Sequence, residues 1–178
     1  MTALHRILAC RRGTTALEFA LLFPLFLILL CGIVEATNVH AADRKIIVAA
    51  QSCADLVTQE KGVDVAKLDD IGRAVQLVME PLPQAGLGFR ITSVTFDATT
   101  GAPSITWHRI VGACVEGGRP TPTVTAPGLG LPCESFIVVD LSYQYTPLFR
   151  NIVPQGWRMD ELAVARPRRV RTIACSGC

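Results

Sequence analysis

The sequence predicts an α+β fold, in which a long N-terminal helix crosses a membrane, continues beyond it and packs on a small antiparallel sheet. Three observations predict this fold. An uncharged run extends from Phe19 to Val34, a helical apolar pattern then continues without proline until Gly62, and the second half of the chain contains short β-favouring segments. The 178 residues suffice for one membrane helix and one domain of about 100–130 residues.

The composition gives no support to several functional classes. The net charge of +2 does not indicate a nucleic-acid partner, and with 6% aromatic residues a stacking platform for single strands is not expected. Cys175 and Cys178 form the only C-x-x-C pair, which does not match the usual zinc spacing. The three histidines are too scattered for a catalytic or metal site: His5, His40 and His108. We expect no enzyme activity, no cofactor and no metal.

The charge distribution predicts three segments with different locations. Residues 1–13 carry basic residues and no acid, so the positive-inside rule keeps them in the cytoplasm. Residues 14–61 are expected to form one stem helix whose membrane part covers about residues 16–36. Residues 62–178 are expected to form a periplasmic α+β head.

The head of the apolar run carries a specific pattern of residues. Arg11 and Arg12 precede Gly13, and after four uncharged residues come Glu18 and Phe19, followed by Pro24 inside the run. A carboxylate at the entrance of a membrane helix is costly, on the order of 2.5–3.5 kcal/mol on insertion scales, and less near the boundary. From the residues alone, Glu18 is either an interfacial carboxylate that reaches to water or a group with a function in assembly.

This pattern resembles the processing site of type IV prepilins, and residues 11–60 resemble more narrowly the TadE-like pseudopilins of tight-adherence pilus systems. The resemblance implies cleavage by a prepilin peptidase between Gly13 and Thr14, which makes Glu18 the fifth residue of the mature chain. It also implies that Glu18 pairs with the N-terminal amine of a neighbouring subunit, with Phe19 and Pro24 in the assembling segment.

The resemblance further implies a location and partners. The protein would reside in a bacterial inner membrane and work with a prepilin peptidase, other pilins or pseudopilins, a membrane platform protein and a secretion ATPase. The predicted head is much larger than that of a major Flp pilin, which favours a minor pseudopilin that contributes to pilus assembly. Whether such a subunit enters the fibre or only assists its assembly, and what the fibre adheres to, stay open.

Other fates of the N-terminus remain alternatives. Signal peptidase cleavage would use the small residue Ala41, which lies well past the apolar run, and lipoprotein processing at Cys31 would have bulky Leu30 before the cysteine. An uncleaved anchor is the third alternative. The rival function is a signal-anchored periplasmic binding or enzymatic domain unrelated to pili.

The remaining elements follow from periodicity and from turn residues. We expect one helix from about Thr14 to Glu60, and a second helix capped by Asp64 that ends at about Met79, before Pro81. The segment 84–88 is expected to be a loop. Strands are expected at Arg90–Phe96, Ser104–Val111 and Phe136–Tyr145, with a last strand at either Glu161–Ala165 or Arg168–Ala174.

Four cysteines are disulfide candidates in an exported head: Cys114, Cys133, Cys175 and Cys178. Cys114 and Cys133 flank a Gly/Pro-rich loop and are the first candidate pair, although either could pair with a tail cysteine instead. Cys175 and Cys178 could form a small local disulfide or pair elsewhere. Cys53 is either buried or paired with the tail.

Two charged features are expected to be solvated surface. Glu35 lies near the outer end of the apolar run and is interpreted as a solvated boundary residue. The basic cluster consists of Arg166, Arg168, Arg169 and Arg171; it is interpreted as a solvated strand face, with contact to anionic lipid or an acidic partner as the alternative.

Overall fold

The computed structural model describes residues 14–112, 133–150 and 156–178. Its elements, in chain order, are α1 (Thr14–Thr58), β1 (Gly62–Asp64), α2 (Val65–Met79), a 3-10 turn (Gln84–Gly86), β2 (Leu87–Phe96), β3 (Pro103–Gly112), β4 (Ser135–Gln144), β5 (Arg158–Ala165) and β6 (Ala174–Ser176). One long apolar helix and a four-stranded antiparallel sheet confirm the predicted α+β class.

The chain divides into two compact units. The first comprises the described residues of Met1–Val39 and of Pro147–Gln155, and the second comprises His40–Thr146 with Gly156–Cys178. Helix α1 contributes residues to both units, because it runs from Thr14 to Thr58 without interruption.

The two halves of α1 differ in what they bury. In the first unit its large apolar side chains from Leu17 to Ile33 are exposed. In the second unit a stripe of small and aliphatic residues is buried: Ala42, Ile46, Ala49, Ala50, Cys53, Ala54 and Val57. The buried residues recur at three- and four-residue spacing, as expected for one face of a helix that lies against a core.

Helix α2 has the predicted limits because its ends are locally determined. The Asp64 side chain accepts a hydrogen bond from the backbone N–H of Lys67 at 2.7 Å, which satisfies one of the donors that a helix start leaves unpaired. The Nζ of Lys45 in α1 donates to the carbonyl oxygen of Glu80 at 2.6 Å, just beyond the end of α2. The two helices are therefore joined within the second unit.

The large sheet has the strand order β3-β2-β4-β5, and all neighbours are antiparallel. Strands β2 and β4 are central and buried on both faces, as predicted for β4 from its apolar run. Strand β2 begins at Leu87, so the prediction of a loop over residues 84–88 was wrong for residues 87 and 88. Gly88 lies within β2 and is paired with Ser142 of β4.

The two faces of this sheet pack against different groups of side chains. On one face α2 packs closely, because a Cβ added at Gly72 would lie 2.9 Å from Cζ of Phe89. Arg109 on β3 also donates to Asp69 of α2 at 2.8 Å. The opposite face carries a separate cluster of buried side chains: Val94, Phe96, Phe136 and Val138, with Leu162 packed against them.

A second, two-stranded sheet was missed by the sequence analysis. Strand β1 pairs in parallel with β6, with Val63 opposite Cys175. The last strand of the large sheet is the first of the two predicted alternatives, and the other alternative, Arg168–Ala174, is irregular up to β6. Three-residue strands carry too little periodicity to be found from sequence.

Candidate functional site: the N-terminal helix segment

The predicted processing and assembly residues lie at the start of α1. Helix α1 is described from Thr14 onward, and Gly13 lies outside the described residues. Glu18 follows one turn later and is exposed, as is Phe19, whose ring centroid lies 5.8 Å from that of Phe23.

Pro24 lies inside α1 without ending the helix. A proline has no backbone N–H, so the carbonyl oxygen of Ala20, four residues earlier, lacks its usual helical donor. In hydrocarbon such a carbonyl needs another donor, which neighbouring helices or side chains commonly supply. The segment around Glu18 and Pro24 thus carries two polar features that a single lipid-exposed helix does not satisfy well.

The apolar half of α1 is long enough to cross a membrane. The helix segment Thr15–Thr58 contains a window of mean hydropathy 2.6, and none of that window is buried within the protein. A core helix of a soluble domain would bury such a window. The exposed side chains include Leu21, Phe26 and Leu29, and they surround the helix on every side.

Glu35 is not the solvated boundary residue that the sequence analysis predicted. It is only 3% exposed, and its Oε2 accepts hydrogen bonds from the backbone N–H groups of Leu148 and Phe149 at 3.1 and 3.3 Å. The prediction was wrong because the covering segment is 113 residues away in sequence, where no local pattern reveals the contact. The N–H donors offset the cost of removing the carboxylate from water.

The basic cluster near the C-terminus contacts the protein itself. Arg168 forms an ion pair with Asp55, and its backbone N–H donates to the carbonyl of Thr58 at 3.0 Å. The Arg166 guanidinium lies 4.8 Å from the centre of the Phe136 ring. All four arginines are exposed, as predicted, but Arg168, Arg169 and Arg171 lie in an irregular segment and not on a strand, and Arg168 and Arg166 also contact α1 and β4.

An open pocket of about 140 Å³ lies beside this cluster, lined by Glu134, Ser135, Arg166, Pro167, Val170 and Arg171. Two of the groups that line the pocket are hydrogen-bonded to each other, because Ser135 Oγ donates to the Arg171 carbonyl at 2.8 Å.

Among the described residues, no three His, Cys, Asp or Glu side chains lie close enough together to hold a metal ion.

The cysteines lie in different settings. Cys175 and Cys178 are joined by a disulfide, and Cys133 is exposed just before β4. The predicted partner of Cys133, Cys114, lies outside the described residues. Cys53 is fully buried on α1, and this burial raises the pKa of its thiol to about 12.

Comparison with known proteins gives one result. The model of the family described as TadE-like protein matches residues 13–55, which include the end of the basic leader, Glu18, Pro24 and most of α1. No curated protein and no solved structure matches the chain. TadE-like proteins are components of pilus assembly. Residues 13–55 are therefore similar to the TadE-like family, which confirms the resemblance seen in the sequence for this segment.

Proposed function

We propose that this protein is a minor pseudopilin of a tight-adherence pilus, cut by a prepilin peptidase after Gly13 and assembled through its N-terminal helix. The observation that carries the proposal is the exposed Glu18 at the head of an apolar helix segment that the protein leaves uncovered, within the residues that match the TadE-like family. Cleavage after Gly13 would place a free amine on the first residue of that helix, four positions before Glu18.

The charges at this end of the helix support an assembly role. A free amine on Thr14 and the carboxylate of Glu18 are opposite charges that an apolar layer leaves without solvent. Pairing between neighbouring copies satisfies both and fixes their register, which is the best-attested use of a buried ion pair. The bare carbonyl of Ala20 before Pro24 adds a further acceptor in the same segment.

The location follows from the same helix. The basic leader remains in the cytoplasm, the apolar half of α1 crosses the bacterial inner membrane, and the second unit lies in the periplasm. The partners are a prepilin peptidase, other pilins or pseudopilins and the pilus platform. The protein has no catalytic role in this scheme.

Intact mass of the membrane-extracted protein, co-expressed with a prepilin peptidase, tests the processing step. We expect a mature chain that begins at Thr14, and loss of the cut in Gly13→Ala. Gly32→Ala is the matched control, because nothing lies within 4 Å of a Cβ added there. A chain of full length in the presence of active peptidase, or one that begins near Ala42, would refute the pseudopilin function.

The assembly step needs its own variant. Glu18→Gln should still be cut after Gly13 but should no longer restore pili to a strain that lacks the protein. Asp43→Asn is the control, because it removes an exposed carboxylate from the same helix beyond the membrane part. Normal piliation with Glu18→Gln, or with the whole N-terminal segment replaced by an unrelated anchor, would show that the helix is only a tether and would favour the rival anchored domain.

A further inference from the structure

The segment Pro147–Arg150 lies against α1 at the point where the apolar run ends. Its attachment is specific, because the backbone N–H groups of Leu148 and Phe149 both donate to Glu35 Oε2. Pro147 is buried, and Glu35 is the first buried residue of α1 after the uncovered apolar half. The attachment and the helix belong to one compact unit.

The height of this attachment along the helix corresponds to the edge of a bilayer. From Ala16 to Glu35, at about 1.5 Å rise per residue, the helix extends roughly 28 Å, close to the thickness of a hydrocarbon core of about 30 Å. Leu30 and Ile33, which lie within two turns before Glu35, are each more than half exposed. The segment therefore sits beside side chains that need lipid around them.

The chemistry of the segment suits the boundary between lipid tails and headgroups. Leu148 is 67% exposed although it is a large apolar residue, Phe149 is partly exposed, and Arg150 is exposed. An apolar side chain next to an aromatic ring and a cation is typical of interfacial anchors, in which the apolar groups enter the acyl layer and the cation meets phosphate. Exposure of the apolar Leu148 side chain to water is unfavourable, whereas lipid tails would cover it favourably.

We propose that Pro147–Arg150 is a membrane-interface anchor, with Leu148 inserted into the outer boundary of the lipid layer and Glu35 holding the segment against the helix. The occupant of the Leu148 surface is lipid. The inference rests on the membrane-spanning part of the proposed function and adds a second contact between the protein and the bilayer. The buried carboxylate of Glu35 is a positioning group in this arrangement and does not itself meet the lipid.

Site-specific photocrosslinking of the full chain tests the anchor. Leu148 is replaced by p-benzoylphenylalanine, and the purified protein is reconstituted in vesicles of phosphatidylethanolamine and phosphatidylglycerol. After illumination, we expect a mass increase of one lipid at position 148. The same residue placed at Leu77, which is 64% exposed on α2 in the second unit, should give no lipid adduct.

A probe inside the membrane part separates this inference from the proposed function. Leu25, 60% exposed in the apolar run, should give a lipid adduct whenever α1 spans the bilayer. No adduct at Leu25 would refute the membrane span itself. An adduct at Leu25 with none at Leu148, or with crosslinked dimers at Leu148, would overturn the anchor and in the second case indicate a contact between copies.

The role of Glu35 is tested in the same vesicles. Glu35→Ala removes the acceptor of both N–H groups, so the lipid adduct at position 148 should fall several-fold while that at Leu25 is unchanged. Glu35→Gln keeps a carbonyl oxygen as acceptor and should retain most of the adduct. An unchanged adduct in Glu35→Ala would show that Glu35 does not hold the segment.

Discussion

Cys53 shows how strongly the core of the second unit acts on a single side chain. The thiol is fully buried on α1, and desolvation of the thiolate raises its pKa from 9.0 to about 12. The folded protein thus keeps the proton in a range where an unfolded chain loses it. Below pH 9 the thiol is protonated in both states and does not reduce the stability, and the free energy of unfolding falls as the pH rises from 9 towards 12.

We predict that Cys53→Ala removes part of the alkaline destabilisation. Between pH 8 and pH 10 the parent protein should lose about 1.3 kcal/mol more free energy of unfolding than the variant, because only the parent buries a thiol that ionises when the chain is unfolded. Chemical denaturation of the full chain in detergent at both pH values measures the difference. Tyr143→Phe is the control for the other buried group whose pKa burial raises, and equal losses in parent and Cys53→Ala would contradict the assignment.

At the scale of single elements, the start of α2 depends on one carboxylate. Asp64→Ala removes the acceptor of the Lys67 N–H and should reduce the free energy of unfolding by about 1 kcal/mol. Asp70→Ala is a matched control on the same helix, since Asp70 is exposed and pairs across one turn with Arg73, a contact worth about 0.5 kcal/mol or less. Equal effects of the two variants in a denaturation experiment would show that the cap does not stabilise α2.

The buried stripe of α1 depends on small side chains. Ala49 and Ala50 are fully buried, so Ala49→Leu would insert methylene groups into a filled core and should destabilise the protein by about 1–3 kcal/mol. Val48→Leu on the adjacent, half-exposed position should change stability by less than about 0.5 kcal/mol. Thermal unfolding in detergent compares the two, and a tolerated Ala49→Leu would mean that α1 is not closely packed there.

The elements that could be predicted from sequence are those with strong local signals. The helix α1 has an apolar run and a continuous periodic stripe, α2 has a cap and a terminating proline, and β4 has an unbroken apolar run. The strand pairings that could not be predicted depend on partners that are distant in sequence. Strand β1 has three residues and forms only because β6 lies beside it, and β2 begins three residues earlier than its alternating pattern indicates because its first residues pair with Tyr143 and Ser142.

At the scale of the whole molecule, the four-stranded sheet carries an ion pair at its centre. Arg90 on β2 lies opposite Asp140 on β4 and donates to it at 2.9 Å, with both side chains mostly buried. The Nε of Arg90 is buried and makes no hydrogen bond to the described part of the chain. Such a pair contributes less to the free energy of unfolding than the loss on removing one partner suggests. That loss includes the cost of leaving the other charge buried and unpaired.

We therefore predict that Arg90→Met destabilises the protein by about 2 kcal/mol, less than for a fully buried pair because Arg90 keeps some exposure to water. The double variant Arg90→Met with Asp140→Leu should recover most of that loss. Denaturation of the single and double variants gives the coupling between the two sites. A double variant that is less stable than Arg90→Met would show that the pair itself stabilises the sheet.

The candidate site was predictable in part for the same physical reason. Glu18, Phe19 and Pro24 form a local pattern at the head of the apolar run, and the family match covers this segment. Glu35 looked like an ordinary boundary carboxylate, because Leu148 and Phe149 are remote in sequence and their backbone N–H groups leave no side-chain signature. Contacts made by backbone groups across such distances are the part of a site that residue types do not reveal.

The parallel pairing of β1 with β6 has a mechanical consequence under the proposed function, in which tension would act along α1. Tension along α1 reaches Thr58, whose carbonyl is bonded to Arg168, and then Val63, which lies opposite Cys175. These two contacts with the C-terminal segment precede β2 along the chain, so we expect them to bear part of the load before the large sheet does. A bulky tag fused to Cys178 would lie two residues beyond β6 and would disturb its pairing with β1. A label for pulling experiments should therefore be placed on the exposed turn around Thr99.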